Sequence, residues 1–297
     1  MRYAPEITAC LLSSVLTISC SETAQTESRN ALVVGSKNFT ESVLLGELVA
    51  QKLEGAGCRV DRRLNMGGTF VCDTALTAGA VDVYVEYSGT ALTAILKKPV
   101  DRDSGGVSAV VEAAYRERGL VWGPALGFNN TFAMIVRQRD AETLGLRSIG
   151  DLRKVQDRYR PGFGYEFTER PDGWTGLVQH YGLAFAARPE TMDLGLTYRA
   201  LAAGKVDLIA GNSTDGLIGS LGLVILEDDR HYFPPYDAVI ARRKDVASKC
   251  AAAETALAAL GGSIDDATMR SLNFEVDGKK RDVAVVVREF LSGTGTR

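Results

Sequence analysis

Histidine is nearly missing from these 297 residues: with only His180 and His231, a histidine-rich metal centre is arithmetically excluded. A basic excess is missing too, since 34 Lys and Arg face 37 Asp and Glu for a formal net charge of −3. Nucleic-acid surfaces ordinarily carry such an excess, so no nucleic-acid partner is expected. There is no GxxxxGK[ST] loop, no GxGxxG after a strand, no HExxH and no GxSxG elbow, which removes the common nucleotide, metalloprotease and hydrolase signatures. No CxxC or Cys/His spacing suits zinc. Nothing nominates a nucleophile with its base, so neither catalysis nor a cofactor is expected. What is present is globular: 45% hydrophobic and 24% charged residues, with 31 glycines against 8 prolines, a ratio that suits strand–helix turns.

No apolar run near the N-terminus is long enough to span a bilayer as a helix. The stretch from Ile7 to Ile18 is short and serine-rich and follows Arg2, which reads as a secretory leader over residues 1–19. VLTISC resembles a bacterial lipoprotein signal, with Cys20 as an acylated mature N-terminus and residues 20–30 as a tether; an ordinary secretory signal with an incidental cysteine is the alternative. Several acyl chains would anchor the protein stably, outside the cytoplasm. In that oxidising compartment Cys58, Cys72 and Cys250 allow one disulfide and one free thiol, or three buried small hydrophobes. Cys58 and Cys72 are the nearer pair in sequence.

The mature chain alternates strand and helix. ALVVG ends at Gly35, and Leu44, Leu45, Leu48, Val49 and Leu53 then lie on one helical face, with Asn38 and Glu41 spaced as a capping box. Strand-like CRVDRRLN, the turn Gly67–Gly68, a helix through Thr77 and strand-like VDVYVEY follow, an order that predicts a parallel α/β sheet with functional loops at the strand C-termini. Ala75-Leu76, Ala78-Gly79 and Val81-Asp82 recur as Ala200-Leu201, Ala203-Gly204 and Val206-Asp207, which makes Tyr87 and Asn212 equivalent. Chance can produce such short matches, but two lobes of like construction is the simpler account. Crossovers are expected at Gly123–Phe128 and Phe233–Tyr236, dividing the chain into lobe one, residues 31–125 plus 238–297, and lobe two, residues 126–237. Two crossings make a hinge that closes on a ligand.

The candidate recognition residues suit a small cation or zwitterion. Tyr87, Phe128, Phe132, Tyr198 and Tyr236 lie at strand ends or turns, and aromatic faces attract quaternary ammonium groups. Arg170, before the turn Pro171-Asp172-Gly173, can grip a carboxylate with two prongs. Taken singly, each has the plainer meaning of core packing or a surface ion pair.

GSKNFTE, NMGGTF, VDVYVEYSGT, LGFNNTFA, FTERPDGWTGL, STDG and LEDDRHYFPPYDAV together resemble the substrate-binding proteins of osmoprotectant (glycine betaine, choline, carnitine) ABC importers. The resemblance implies a two-lobe periplasmic-binding-protein fold of the second type, a ligand cleft between the lobes and an ABC permease as partner. By motif, Lys37 and Thr90 are implied as polar contacts and Tyr87 as a cage residue of the first lobe. Arg170 is implied as the carboxylate grip, Asn130 as a neighbouring polar contact, and Phe132, Asn212 and Tyr236 as the other cage positions. Phe132 stands where the family has a tyrosine and keeps the ring. Asn212 replaces another tyrosine and removes a wall, which weakens the cage or fits it to a larger or differently shaped solute. A quaternary-ammonium osmoprotectant is the implied ligand; a non-ammonium zwitterion, or a sensory role without transport, are the alternatives.

Overall fold

Two five-stranded sheets follow one plan in the computed structural model, which describes Met1, residues 31–101 and residues 103–294. The leader, Cys20 and the tether lie outside the described residues. In the first sheet β1 (Leu32–Gly35), β2 (Val60–Arg63) and β3 (Val83–Tyr87) run parallel in the order β2–β1–β3, and β10 (Asp237–Arg243) and β4 (Leu120–Asn129) complete it. β10 is antiparallel to both its neighbours, so the sheet is mixed where the sequence order alone predicts a parallel one. The second sheet runs β7 (Glu190–Met192), β6 (Pro161–Gly164), β8 (Leu208–Asn212), β5 (Phe132–Arg137) and β9 (Leu223–Ile225), again with parallel strands first and antiparallel pairing around the fourth.

The internal match reappears element for element. Helix α2 (Thr69–Thr77) and β3 in the first lobe correspond to the helix at Leu194–Ala202 and β8 in the second, each shifted by 125 positions at both ends. The chain leaves the first sheet after Asn129, passes through Asn130 and Thr131, and enters the second at Phe132; it returns between Ile225 and Asp237. Residues 123–128, expected to form the first crossing, instead lie inside β4, because their backbone extends the ladder with β10 as far as Asn129↔Asp237.

Burial explains the elements. All five residues of β3, VYVEY, are buried, as a central strand covered on both faces requires, whereas β2, VDRR, is mostly exposed and blunts the sheet edge with charge. Helix α1 (Thr40–Gly55) packs its leucine face on the first sheet beside the C-terminal helices Asp266–Asp277 and Val283–Leu291. Asp103, Asp193, Asp265 and Asp282 each accept a backbone N–H at the start of a helix. The capping box expected from Asn38 and Glu41 does not form: Phe39 occupies the cap position without a side-chain bond, and Glu41 turns inward. Cys58 pairs with Cys250 across 192 residues of sequence, so the partner is not the nearer Cys72, which is buried as a free thiol. The acidic run at Leu226–Arg230 is a turn whose Asp228 accepts the Tyr181 hydroxyl and the N–H groups of Tyr232 and Phe233.

Candidate functional site

The C-terminal end of β3 delivers Tyr87, and the helical turn Ser88–Thr90 follows it at once. Ser88 ties this turn to the second crossing, its hydroxyl donating to the Pro235 carbonyl (3.0 Å) and accepting from Asp237 N–H (2.9 Å). Gly89 is needed there, since a Cβ would stand 2.8 Å from the Tyr236 ring and 2.7 Å from the Pro235 carbonyl. From the other lobe, β5 and β8 place Phe132 and Asn212 directly opposite each other in register. The short helix Tyr165–Glu169 after β6 brings up Glu166 and, at its end, Arg170. These elements enclose a cavity of about 230 Å³ between the lobes. Lys37, Tyr87, Thr90, Asn130, Phe132, Arg170, Asn212 and Tyr236 all line it. Phe128 and Tyr198 do not; both are buried in the cores, where the Tyr198 hydroxyl accepts the Asn212 N–H at 3.0 Å.

The charges are arranged as pairs. Lys37 Nζ donates to Glu86 Oε1 at 2.5 Å and to Thr69 Oγ1 at 3.0 Å, and lies 5.3 Å from the centre of the Tyr87 ring. The Arg170 guanidinium is buried 4.9 Å from the Phe132 centroid and 5.9 Å from that of Tyr236. Its two-pronged grip is spent within the protein: Nε and Nη2 hold Asp172 at 2.9 and 2.5 Å, which corrects the expectation of a free fork. Only Nη1 reaches toward the first lobe, donating to Thr90 Oγ1 at 3.0 Å. Tyr236 donates its hydroxyl to the same Asp172 at 2.5 Å. Burial raises the Asp172 carboxyl, but Arg170 outweighs it and leaves the group below the usual carboxylate range.

Glu166 spans the cleft. Its Oε1 accepts the N–H of Thr69, the first residue of α2, at 2.7 Å. Burial raises this carboxyl, and the charge of Lys37, the Thr69 bond and Arg170 bring it below the usual value, so it is ionised. Lys37 with Glu86 and Arg170 with Asp172 are two neutral pairs, so Glu166 and Asp193, which also lines the cavity, leave the site with an anionic surplus. An anionic, ring-lined cavity favours a cationic group.

Behind the cavity Glu41 joins both lobes. Its carboxylate accepts from Tyr87 Oη and Asn130 Nδ2 (both 2.7 Å), Thr214 Oγ1 (2.5 Å) and Asn273 Nδ2 (2.9 Å). Burial raises its pKa, and the four bonds offset that only in part. Sequence reasoning missed Glu41, Glu166 and Asp172. Asp172, two residues from Arg170 across a proline turn, and Glu41, the last residue of GSKNFTE, carried a signal.

Asp215, near Glu41, is pushed up to about 6, by burial first and then by the nearby Asp277 and Glu41 charges, against the bonds from Leu217 N–H and Tyr198. A carboxyl raised in the folded state adds stability below its unfolded pKa and loses it as pH rises through the folded value. Asp215→Asn should therefore stabilise the protein at pH 8 by roughly 1–2 kcal/mol, after allowance for the solvent reaching a partly buried group. At pH 4 the gain should vanish. Thermal melts at both pH values check this, and equal shifts at both would refute it.

Two like lobes, a double crossing and a ligand-sized cavity at the strand ends define a two-lobed solute-binding protein. The chain belongs to the OpuAC family, the substrate-binding domain of ABC-type glycine betaine transport systems, which matches residues 30–293. It is 32% identical over 286 residues to the carnitine transport binding protein OpuCC of Listeria monocytogenes, covering 95% of this chain and 92% of that one. It is also 32% identical over 265 residues to the ergothioneine transport permease/ergothioneine binding protein EgtU of Helicobacter pylori, matching 89% of this chain but only 48% of that longer protein. The crystal structure of a glycine betaine/carnitine/choline ABC transporter superposes with a TM-score of 0.74 at 29% identity, over 88% of this chain and 98% of that one. Proteins of this class are extracytoplasmic and work with ABC permeases. Among the described residues no helix is long and apolar enough to cross a membrane.

Proposed function

We propose that this protein captures a carboxylate-bearing trimethylammonium solute, of the glycine betaine or carnitine class, and delivers it to an ABC permease. One observation carries the reading: the inter-lobe cavity combines the rings of Tyr87, Phe132 and Tyr236 with an anionic surplus and a set of hydrogen-bond donors. Lys37, Thr90 and the single arm Nη1 of Arg170 form that donor set, and it suits a carboxylate. The methylated head, which offers no hydrogen bond, is left to the rings and to Glu166. Cys20 would hold the protein at a membrane surface, and Cys20→Ser should then release it to the soluble fraction.

Calorimetry with glycine betaine, carnitine, choline and proline tests the reading in one series. Betaine or carnitine should lead choline, which has no carboxylate, by roughly 10-fold or more, since charge-assisted hydrogen bonds are each worth about 1.5–3 kcal/mol. All three should lead proline, whose secondary ammonium seeks acceptors where the cavity offers ring faces. Proline at the head of the series would make the pocket a site for a non-ammonium zwitterion.

A further inference from the structure

Glu86 lies on β3 one residue before Tyr87, wholly buried, and stands behind the cavity rather than in its lining. Three donors converge on its carboxylate: Lys37 Nζ and the Tyr87 N–H (2.7 Å) on Oε1, and the Tyr84 hydroxyl (3.0 Å) on Oε2. Tyr84 is fully buried in the core of the first lobe, so Glu86 is held from behind and draws Lys37 back against its own lobe. Lys37 also serves a second carboxylate. Its Nζ donates to Thr69 Oγ1 at 3.0 Å, and that hydroxyl donates to Glu166 Oε2 at 3.4 Å across the cleft. Against burial, which raises the Glu166 carboxyl, the Lys37 charge is the foremost influence lowering it. Glu86, Lys37, Thr69 and Glu166 thus form one row running from the interior of the first lobe to the second. It places one cation between two carboxylates, of which only Glu166 lines the cavity.

We propose that Glu86 determines which solute charge the site accepts: by holding Lys37 in an ion pair of its own, it leaves the Glu166 carboxylate to the cationic head of the ligand. The inference rests on the reading of the cavity as a trimethylammonium site. Glu86 meets no solute and is a positioning residue that acts through Lys37. Without its charge, Lys37 would have Glu166 as its nearest counter-ion, and the cavity would present one negative charge fewer. Complementarity of charge is what sorts one partner from another. Choline carries a cation alone and would feel only the loss. A zwitterion would lose attraction at its ammonium and gain it at its carboxylate, where the released Lys37 stands, so its affinity would change little.

The probes are choline and glycine betaine, titrated calorimetrically into the wild type, Glu86→Gln and Lys37→Met/Glu86→Gln, with a thermal melt of each. Glu86→Gln keeps the shape of the side chain and removes its charge. It should lower choline affinity at least 10-fold and glycine betaine affinity less than threefold, a change of ratio that general loosening of the pocket would not produce. Lys37→Met/Glu86→Gln removes the pair whole and strands no buried charge. Choline should then stay within threefold of wild type, while glycine betaine, deprived of a donor, falls at least 10-fold. Equal losses for the two solutes in Glu86→Gln, or no loss, overturn the role of Glu86, while wild-type binding of both upholds the reading of the cavity. Should Glu86→Gln fail to fold, the double variant decides, and a 10-fold change for choline in either direction overturns the proposal. If neither solute binds the wild type, the trimethylammonium reading falls and the role of Glu86 falls with it.

Discussion

Arg170→Ala should abolish binding of any carboxylate-bearing solute, lowering affinity at least 100-fold. The guanidinium is buried, supplies the Nη1–Thr90 bond across the cleft and stands over the Phe132 ring, so truncation removes a ligand donor, a closing contact and a cation–π partner together. It also strands Asp172, buried with only the Tyr236 hydroxyl and other neutral donors to offset its charge. Removing one member of a buried ion pair costs about 3–5 kcal/mol. That cost would mix stability with recognition, and Arg170→Ala/Asp172→Asn separates them. The double variant should recover much of the melting temperature and none of the affinity. Recovery of affinity as well would mean that Arg170 acts only as the counter-ion of Asp172. Melts and calorimetry on the same samples give both readings.

Glu41→Ala should destabilise the protein strongly. Four donors, from Tyr87, Asn130, Thr214 and Asn273, converge on that carboxylate and would all lose their acceptor. Each buried donor left unsatisfied costs about 1–3 kcal/mol. Local rearrangement recovers part, and a net loss of roughly 3 kcal/mol corresponds to a fall in Tm of about 6–12 °C. Glu41→Gln keeps one acceptor oxygen but turns an NH₂ toward one pair of donors, so it should fall between wild type and alanine. Thermal unfolding by circular dichroism checks the order, and an alanine variant melting within 2 °C of wild type would contradict it. Ligand affinity should fall with it, because Tyr87 and Asn130 line the cavity and take their orientation from Glu41.

How far the sequence could be read depended on the range of the interaction. The leucine face of α1 follows from helical spacing, and burial of Leu44, Leu45, Leu48, Val49 and Leu53 agrees with it. The 125-position match located two helices and two strands, since helix–Gly–strand punctuation is written within a dozen residues. The family motifs brought eight separated residues to one cavity. What escaped was set by tertiary partners. β10 lies between β3 and β4, although it starts 150 positions after β3 ends and 108 after β4 ends, and no local pattern announces that insertion. Sequence offered Cys250 and Cys72 alike as partners for Cys58, but Cys250 stands just before the helix Ala253–Ala258 that packs on α1, and its Cα lies 5.6 Å from that of Cys58. Asn38 and Glu41 had the spacing of a capping box, but the inward pull of four hydrogen bonds outweighs one cap. The Arg170 fork looked free because the sequence does not show which way Asp172 faces.

The two crossings leave the sheets beside the ring-lined floor of the cavity. Phe132 opens β5 immediately after the first, and Tyr236 immediately precedes β10 at the second, with Ala238, two residues on, in register with Tyr87. A rotation of one lobe about these strands has its fulcrum at that floor. Residues at the fulcrum are displaced least, and those on longer lever arms most. Opening would thus break the Thr69–Glu166 and Thr90–Arg170 contacts while Phe132 and Tyr236 stay close to their places. An incoming solute would meet a half-built seat for its methylated head, and its carboxylate would then draw the outer lip shut.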